Sequence, residues 1–209
     1  MMTDTEGSDL RRMARAARRL GRRAAVASPL PSMWFFTDPE RTPEPERIAA
    51  RLPAGSGVVF RHFGAADAEA RAAGLAAVAR ERGLVLLIGD DPVLAGTVGA
   101  AGVHLPQRRI SAAPLLKEAR PEGIITAAAH RWAALRLAGQ AGVDAVFVSP
   151  VFRSDSPSAG APLGRGRLSR WAAGARTPVF ALGGVNPQTV ERLRGTGVAG
   201  FAAVAALAA

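Results

Sequence analysis

The chain has 209 residues and no cysteine, and 27 Lys and Arg against 17 Asp and Glu give a formal net charge of +10. The lack of cysteine excludes disulfides, thiolate nucleophiles and Cys-ligated metals, and it fits a reducing cytoplasm. No apolar run approaches the roughly 18 residues that span a membrane, and Ala24–Leu30 is too short and too poor in bulky apolar residues for a secretory core.

The chain opens on a basic extension, residues 1–32. Within it Ser8–Arg23 reads as an amphipathic helix carrying Arg11, Arg12, Arg15, Arg18, Arg19, Arg22 and Arg23. No aromatic residue interleaves these arginines to stack on bases, which argues against a nucleic-acid partner, and the expected role is a solvated helix that caps the barrel described next. Met33 opens the first strand of that barrel.

Residues 33–209 alternate short apolar runs with Ala- and Arg-rich segments. Eight strands are expected: Met33–Asp38, Gly57–Phe63, Leu84–Asp90, Gly102–Leu105, Gly123–His130, Asp144–Phe152, Pro178–Val185 and Ala199–Leu207. Near-continuous apolar strands separated by helices indicate a parallel sheet buried on both faces, and eight such units make an α/β fold, a (β/α)8 TIM barrel. Asp91-Pro92, Ser111 and Asn186-Pro187 are expected to open helices, and Gly83, Gly102, Gly142 and Gly197 to end them. Only Ala208 and Ala209 follow the last strand, so an eighth helix is missing and Ser8–Arg23 is the candidate to take its place.

Several residues at strand ends carry candidate chemistry. Gly183-Gly184, after the seventh strand, lets backbone N–H groups approach an anion, and the Val204-Ala205 turn after the eighth adds to the same corner, which points to a phosphate. His130 ends the fifth strand, where a barrel points side chains into its mouth, and histidine moves protons near neutral pH. His62 is a weaker acid/base candidate and His104 is expected to pack or hydrogen-bond. Asp38 and Asp90 are placed to orient polar groups or cap helices. The single lysine, Lys117, falls in a predicted helix, which leaves a Schiff-base aldolase without its nucleophile. The long Ser/Gly/Pro-rich segment from Arg153 to Gly166 reads as a loop able to cover the site.

The succession WFFTD, GVVFRHF, LLIGD, AGVHLPQ, ITAAAH, DAVFVSPVF, PLGRGRLS and PVFALGGVNP resembles the thiamine phosphate synthase/TenI family from Met33 to Leu207. The resemblance implies binding of a thiazole phosphate at Gly183, Gly184, Val204 and Ala205. It also implies one of two reactions: a Mg2+-assisted joining of pyrimidine diphosphate to thiazole phosphate, or isomerisation of a thiazole carboxylate phosphate with His130 as acid/base. The synthase pattern departs at four places. Its Gln-x-Arg-x-Lys run is Val59, Phe60, Arg61, His62, Phe63 here, so Arg61 alone remains to meet a diphosphate. Its Asn-Asp pair is Gly89-Asp90, which leaves Asp90 as a metal ligand without a second carboxylate, because Arg109 stands where that carboxylate belongs. Arg109 is left to bind phosphate oxygens directly. Its Thr-x-Thr-Lys loop is Ser154, Asp155, Ser156, Pro157, keeping two hydroxyls and losing the cation, and its fifth-strand serine is Ala128. These departures favour the tautomerase-like reaction. A divergent synthase, with Mg2+ as cofactor, and a non-catalytic phosphate-ligand binder are the alternatives, and a homo-oligomer is left open.

Overall fold

The computed structural model describes residues 4–154 and 160–207, with backbone only for residues 4–6. Eight parallel strands close into a barrel in chain order: β1 (Met33–Phe36), β2 (Gly57–Phe60), β3 (Val85–Gly89), β4 (Gly102–Leu105), β5 (Ile124–Ala129), β6 (Ala145–Val148), β7 (Val179–Ala181) and β8 (Gly200–Ala203), with β8 pairing back to β1. The helices around it are α1 (Asp4–Gly21), α2 (Pro45–Ala49), α3 (Ala68–Arg82), α4 (Pro92–Thr97), α5 (Ala113–Ala119), α6 (Trp132–Gln140) and α7 (Gly164–Gly174).

The period-2 geometry of a strand sorts the apolar residues into two cores. Trp34, Phe36, Val59, Leu87, Phe147, Phe180 and Ala202 fill the barrel interior. Their chain neighbours Phe35, Val58, Ile88, Val146, Val179 and Phe201 face the helices. Inside, Phe36 and Phe147 meet edge to face at 4.9 Å, and Trp34 packs on Phe147 at 5.7 Å. Gly57 pairs with Trp34 across the sheet, and a Cβ there would lie 2.1 Å from the indole, so this glycine makes room for the largest interior side chain.

Helix α1 completes the layer that an eighth helix would supply. It packs on β8, β1 and the turn before β8, burying Met13, Ala16, Ala17 and Leu20 at helical spacing while its arginines face solvent. Asp91 caps α4 by accepting from the Leu94 amide, and Gly83 ends α3 in the left-handed conformation.

The structure corrects four boundaries. Most strands stop several residues before their apolar runs do, so Asp38, Phe63, Asp90, His130, Phe152 and Val185 lie in loops, and Leu207 ends a 3-10 turn, Ala205–Leu207. Ser111 does not cap a helix; it sits inside a 3-10 helix, Gln107–Ala112, that runs into α5. Gly102 begins β4, and the left-handed stop is Gly99. No α-helix follows Asn186-Pro187, only a 3-10 turn at Val190–Leu193. Asn186 Oδ1 accepts from the Gln188 and Thr189 amides, and Thr189 Oγ1 donates to the Gly184 carbonyl. Such local side-chain bonds compete with a helix, and Gly195 and Gly197 end the segment soon after.

Candidate active site

A cavity of about 650 Å³ opens at the C-terminal ends of the strands, the end where barrels of this kind carry their sites. It is walled by Phe36, Arg61, Ala128, His130, Gly183 and Val204, among others, and floored by His104. Residues from all eight strand-end loops therefore converge on one space.

The three histidines differ in which nitrogen is available. His104 is buried beneath the cavity between Phe36 and Phe147, with Nδ1 2.9 Å from Thr126 Oγ1. Burial, with the charge of Arg61 adding to it, pushes its pKa down to about 3, so it stays neutral. His62 accepts from the Gly64 amide through Nδ1, and its Nε2 points at Asp91 Oδ2, 3.6 Å away. An amide can only donate, so the His62 proton sits on Nε2 and neither nitrogen is left as a base. At His130, Nδ1 lies 2.9 Å from the Ser149 carbonyl and 3.2 Å from Ser149 Oγ. A carbonyl can only accept, so Nδ1 carries the proton and Nε2 is the basic nitrogen of this cavity-lining side chain. Gln107 Oε1 fixes the His130 backbone by accepting its amide at 2.8 Å.

The charges on the β1–β4 side form two clusters, each of one carboxylate and two guanidiniums. Asp38 Oδ2 meets Arg41 at 2.8 Å and Arg61 at 3.4 Å. Burial alone raises the Asp38 pKa, but the hydrogen bonds and charge of Arg41, with the charge of Arg61, hold it below the usual carboxylate range. Arg61 Nε also donates to the Thr37 carbonyl at 2.7 Å, and its guanidinium lies between the rings of Phe36 and Phe63. Burial pushes its pKa down to about 10, against the opposing pull of Asp38, which leaves it cationic at neutral pH.

Asp90 gives one oxygen to Arg108 at 2.6 Å and the other to Arg109 at 2.9 Å. Arg109 thus faces a carboxylate of its own chain, and both oxygens that Mg2+ would need are already engaged. Among the described residues no group of three or more His, Asp or Glu is placed to hold a metal ion. Mg2+ prefers an octahedral set of oxygens, and a carboxylate flanked by two cations does not fit it.

The β7–β8 side is built from backbone. Gly183 and Gly184 have φ of +89° and +68°, and among the described residues the amides of Gly183, Gly184, Val204 and Ala205 donate to no protein acceptor. A Cβ on Gly184 would lie 2.2 Å from the Arg153 carbonyl, so this glycine is also required by the close approach of the loop after β6. Ser154 lines the cavity, whereas Ser156 lies outside the described residues. Lys117 is far from the mouth in function, paired with Asp144 at 2.8 Å and bonded to the Gly123 carbonyl.

Sequence reading missed Arg41, Arg108, Gln107 and Ser149. Arg41 follows Asp38 by three residues and Arg108 adjoins Arg109, so spacing offered a signal for those two. Ser149 offered none, because its contribution is a carbonyl.

Fold and mouth together define a (β/α)8 barrel with a polar cavity at the C-terminal ends of its strands. Residues 34–207 match the family model described as thiamine monophosphate synthase, and the chain belongs to that family. A thiamine-phosphate synthase from Synechococcus sp. is 32% identical over 187 residues, covering 85% of this chain and 52% of that protein. A bifunctional thiamine biosynthesis protein from Symbiobacterium thermophilum is 33% identical over 129 residues, 61% of this chain and 27% of that one. The chain thus spans about half the length of such relatives, or less. In structure it is similar to thiamine phosphate pyrophosphorylase from Pyrococcus furiosus, with a TM-score of 0.73 at 24% identity, covering 85% of this chain and 88% of that one.

Proposed function

We propose that the chain acts in thiamine biosynthesis as a tautomerase-like isomerase of a thiazole phosphate, with His130 as the acid/base. The observation that carries this reading is the fixed tautomer of His130, which leaves Nε2 as the single histidine base at the cavity. In the reaction Nε2 takes a proton from a ring-conjugated carbon and returns it to another, so substrate and product have the same atoms. The Ser149 carbonyl steadies the imidazolium that forms between the two transfers. The phosphate is held by the amides of Gly183, Gly184, Val204 and Ala205, and no step needs a metal.

A second reading, a divergent synthase joining pyrimidine diphosphate to thiazole phosphate, is supported by the names of the relatives and by Arg41, Arg61 and Arg108 at the mouth. Its weak point is charge at the leaving group: Arg61 is bound to Asp38, and Arg108 and Arg109 to Asp90. A single-turnover experiment separates the readings. The protein is mixed with thiazole carboxylate phosphate, or with pyrimidine diphosphate, thiazole phosphate and Mg2+, and products are followed by NMR and mass. Isomerisation that is lost in His130→Ala is expected; thiamine phosphate formed at enzyme-like rates would establish the synthase instead. Thiazole phosphate binding with neither product would leave a non-catalytic binder.

A further inference from the structure

Phe63 bears two costs that the fold does not explain. Its φ is +48°, and it and Asp90 are the only non-glycine residues in the left-handed region among the described residues. The residue is also 72% exposed, next to a cavity that it lines. A large aromatic in a strained conformation, held out toward solvent, is the kind of outlier that marks a functional position.

The surroundings say what the ring is for. The Arg61 guanidinium lies over the Phe63 ring at 5.4 Å, which fixes the ring on one side and leaves its remaining surface open. Phe63 follows β2, whereas Ser149 follows β6, and in a ring of eight strands β2 and β6 are opposite. His130 follows β5, next to β6, and is bonded to Ser149, so its imidazole lies on the far side of the mouth from Phe63, and the amides of Gly183 and Val204 occupy the arc between them on the β7–β8 side.

Resting on the proposed thiazole phosphate reading, we infer that Phe63 is a ring-binding residue: its open face stacks on the planar heteroaromatic ring of the substrate and holds that ring across the cavity from His130. The phosphate then lies at the glycine amides. In the resembled synthase pattern this position carries lysine, so the change exchanges a charge suited to diphosphate for a surface suited to a ring.

Binding is measured by calorimetry for wild type, Phe63→Leu, Phe63→Trp and Phe63→Gly, with thiazole phosphate, pyrimidine monophosphate and inorganic phosphate as probes. Aromatic stacking on a heterocycle is worth about 1–3 kcal/mol, which converts to a loss of roughly 5- to 150-fold in Phe63→Leu. Phe63→Trp should retain affinity, and inorganic phosphate should bind all variants alike. Phe63→Gly should melt no lower than wild type, because glycine is at ease at this φ, yet lose ring affinity, which separates binding from folding. Equal thiazole phosphate affinity in wild type and Phe63→Leu would overturn the ring-binding role and leave the thiazole reading intact. If only pyrimidine monophosphate binds, and Phe63→Leu loses it, the ring-binding role stands while the thiazole reading falls. Binding of neither ring by wild type overturns both.

Discussion

The two halves of the mouth are built from different materials. On the β1–β4 side the groups are charged, and their charges are spent on one another: Asp38 against Arg41 and Arg61, Asp90 against Arg108 and Arg109. On the β5–β8 side there are few charges, and the available groups are a ring nitrogen on His130 and backbone amides at Gly183, Gly184, Val204 and Ala205. Number of charges is thus a poor guide to where chemistry happens. The half with fewer ionic groups is the half whose hydrogen-bonding capacity the fold has left unfilled.

Four measurements would break or sharpen this contrast. If the reaction belongs to the sparse half, His130→Gln should lower isomerisation by about 10²- to 10⁴-fold, or roughly 3–5 kcal/mol of barrel-mouth catalysis, with binding of thiazole phosphate nearly unchanged. An equal loss in His62→Gln and none in His130→Gln would move the chemistry to the charged half.

The second concerns His104, which lies beneath both halves. Its folded pKa is about 3 against an ordinary 6.5, so as pH falls below 6.5 the unfolded chain takes up a proton that the folded chain refuses. The stability contributed is complete above pH 6.5 and declines toward pH 3, by about 1.4 kcal/mol per pH unit. Urea unfolding between pH 7 and 5 should show this slope, and His104→Gln should flatten it; an unchanged slope would mean that another group titrates.

Third, Gly184→Ala forces a Cβ against the Arg153 carbonyl at a left-handed φ, and should cost about 2 kcal/mol or more in thermal unfolding. Phosphate affinity should fall with it. A variant that folds and binds like wild type would show that this backbone cup is not the anion site. Fourth and smallest, Arg109→Asp replaces one cation beside Asp90 with a carboxylate. Mg2+ binding by calorimetry should then become measurable, while stability moves by less than about 1 kcal/mol, as for other exposed ion pairs. Tight Mg2+ binding by the wild type would instead break the claim that the Asp90 cluster is self-neutralised.

Much of the architecture was legible in the sequence because each strand is a short apolar run with helix signals on either side. Strand ends were not, since Val151, Phe152 and Val185 are apolar residues that remain buried in loops, where periodicity says nothing. The turn after Asn186 looked like a helix start because an Asn-Pro pair serves both a cap and a compact turn; only the Thr189 bond to Gly184 decides. Among the site residues, sequence reading ranked His130 above His62 and set His104 aside. The tautomers that bear on this order depend, however, on one carbonyl and one amide, which carry no side-chain signature.

The placement of α1 has a consequence for how the chain is made. This helix precedes every strand, yet it docks on β8, so the two elements meet only after nearly the whole barrel has been synthesised. At ribosomal rates of about 5–20 residues per second, its apolar stripe waits roughly 10–35 seconds for a partner. The arginines on its other face keep such a nascent segment hydrated during that interval, and the pairing of β8 with β1 is a late, long-range contact of the kind that slows folding.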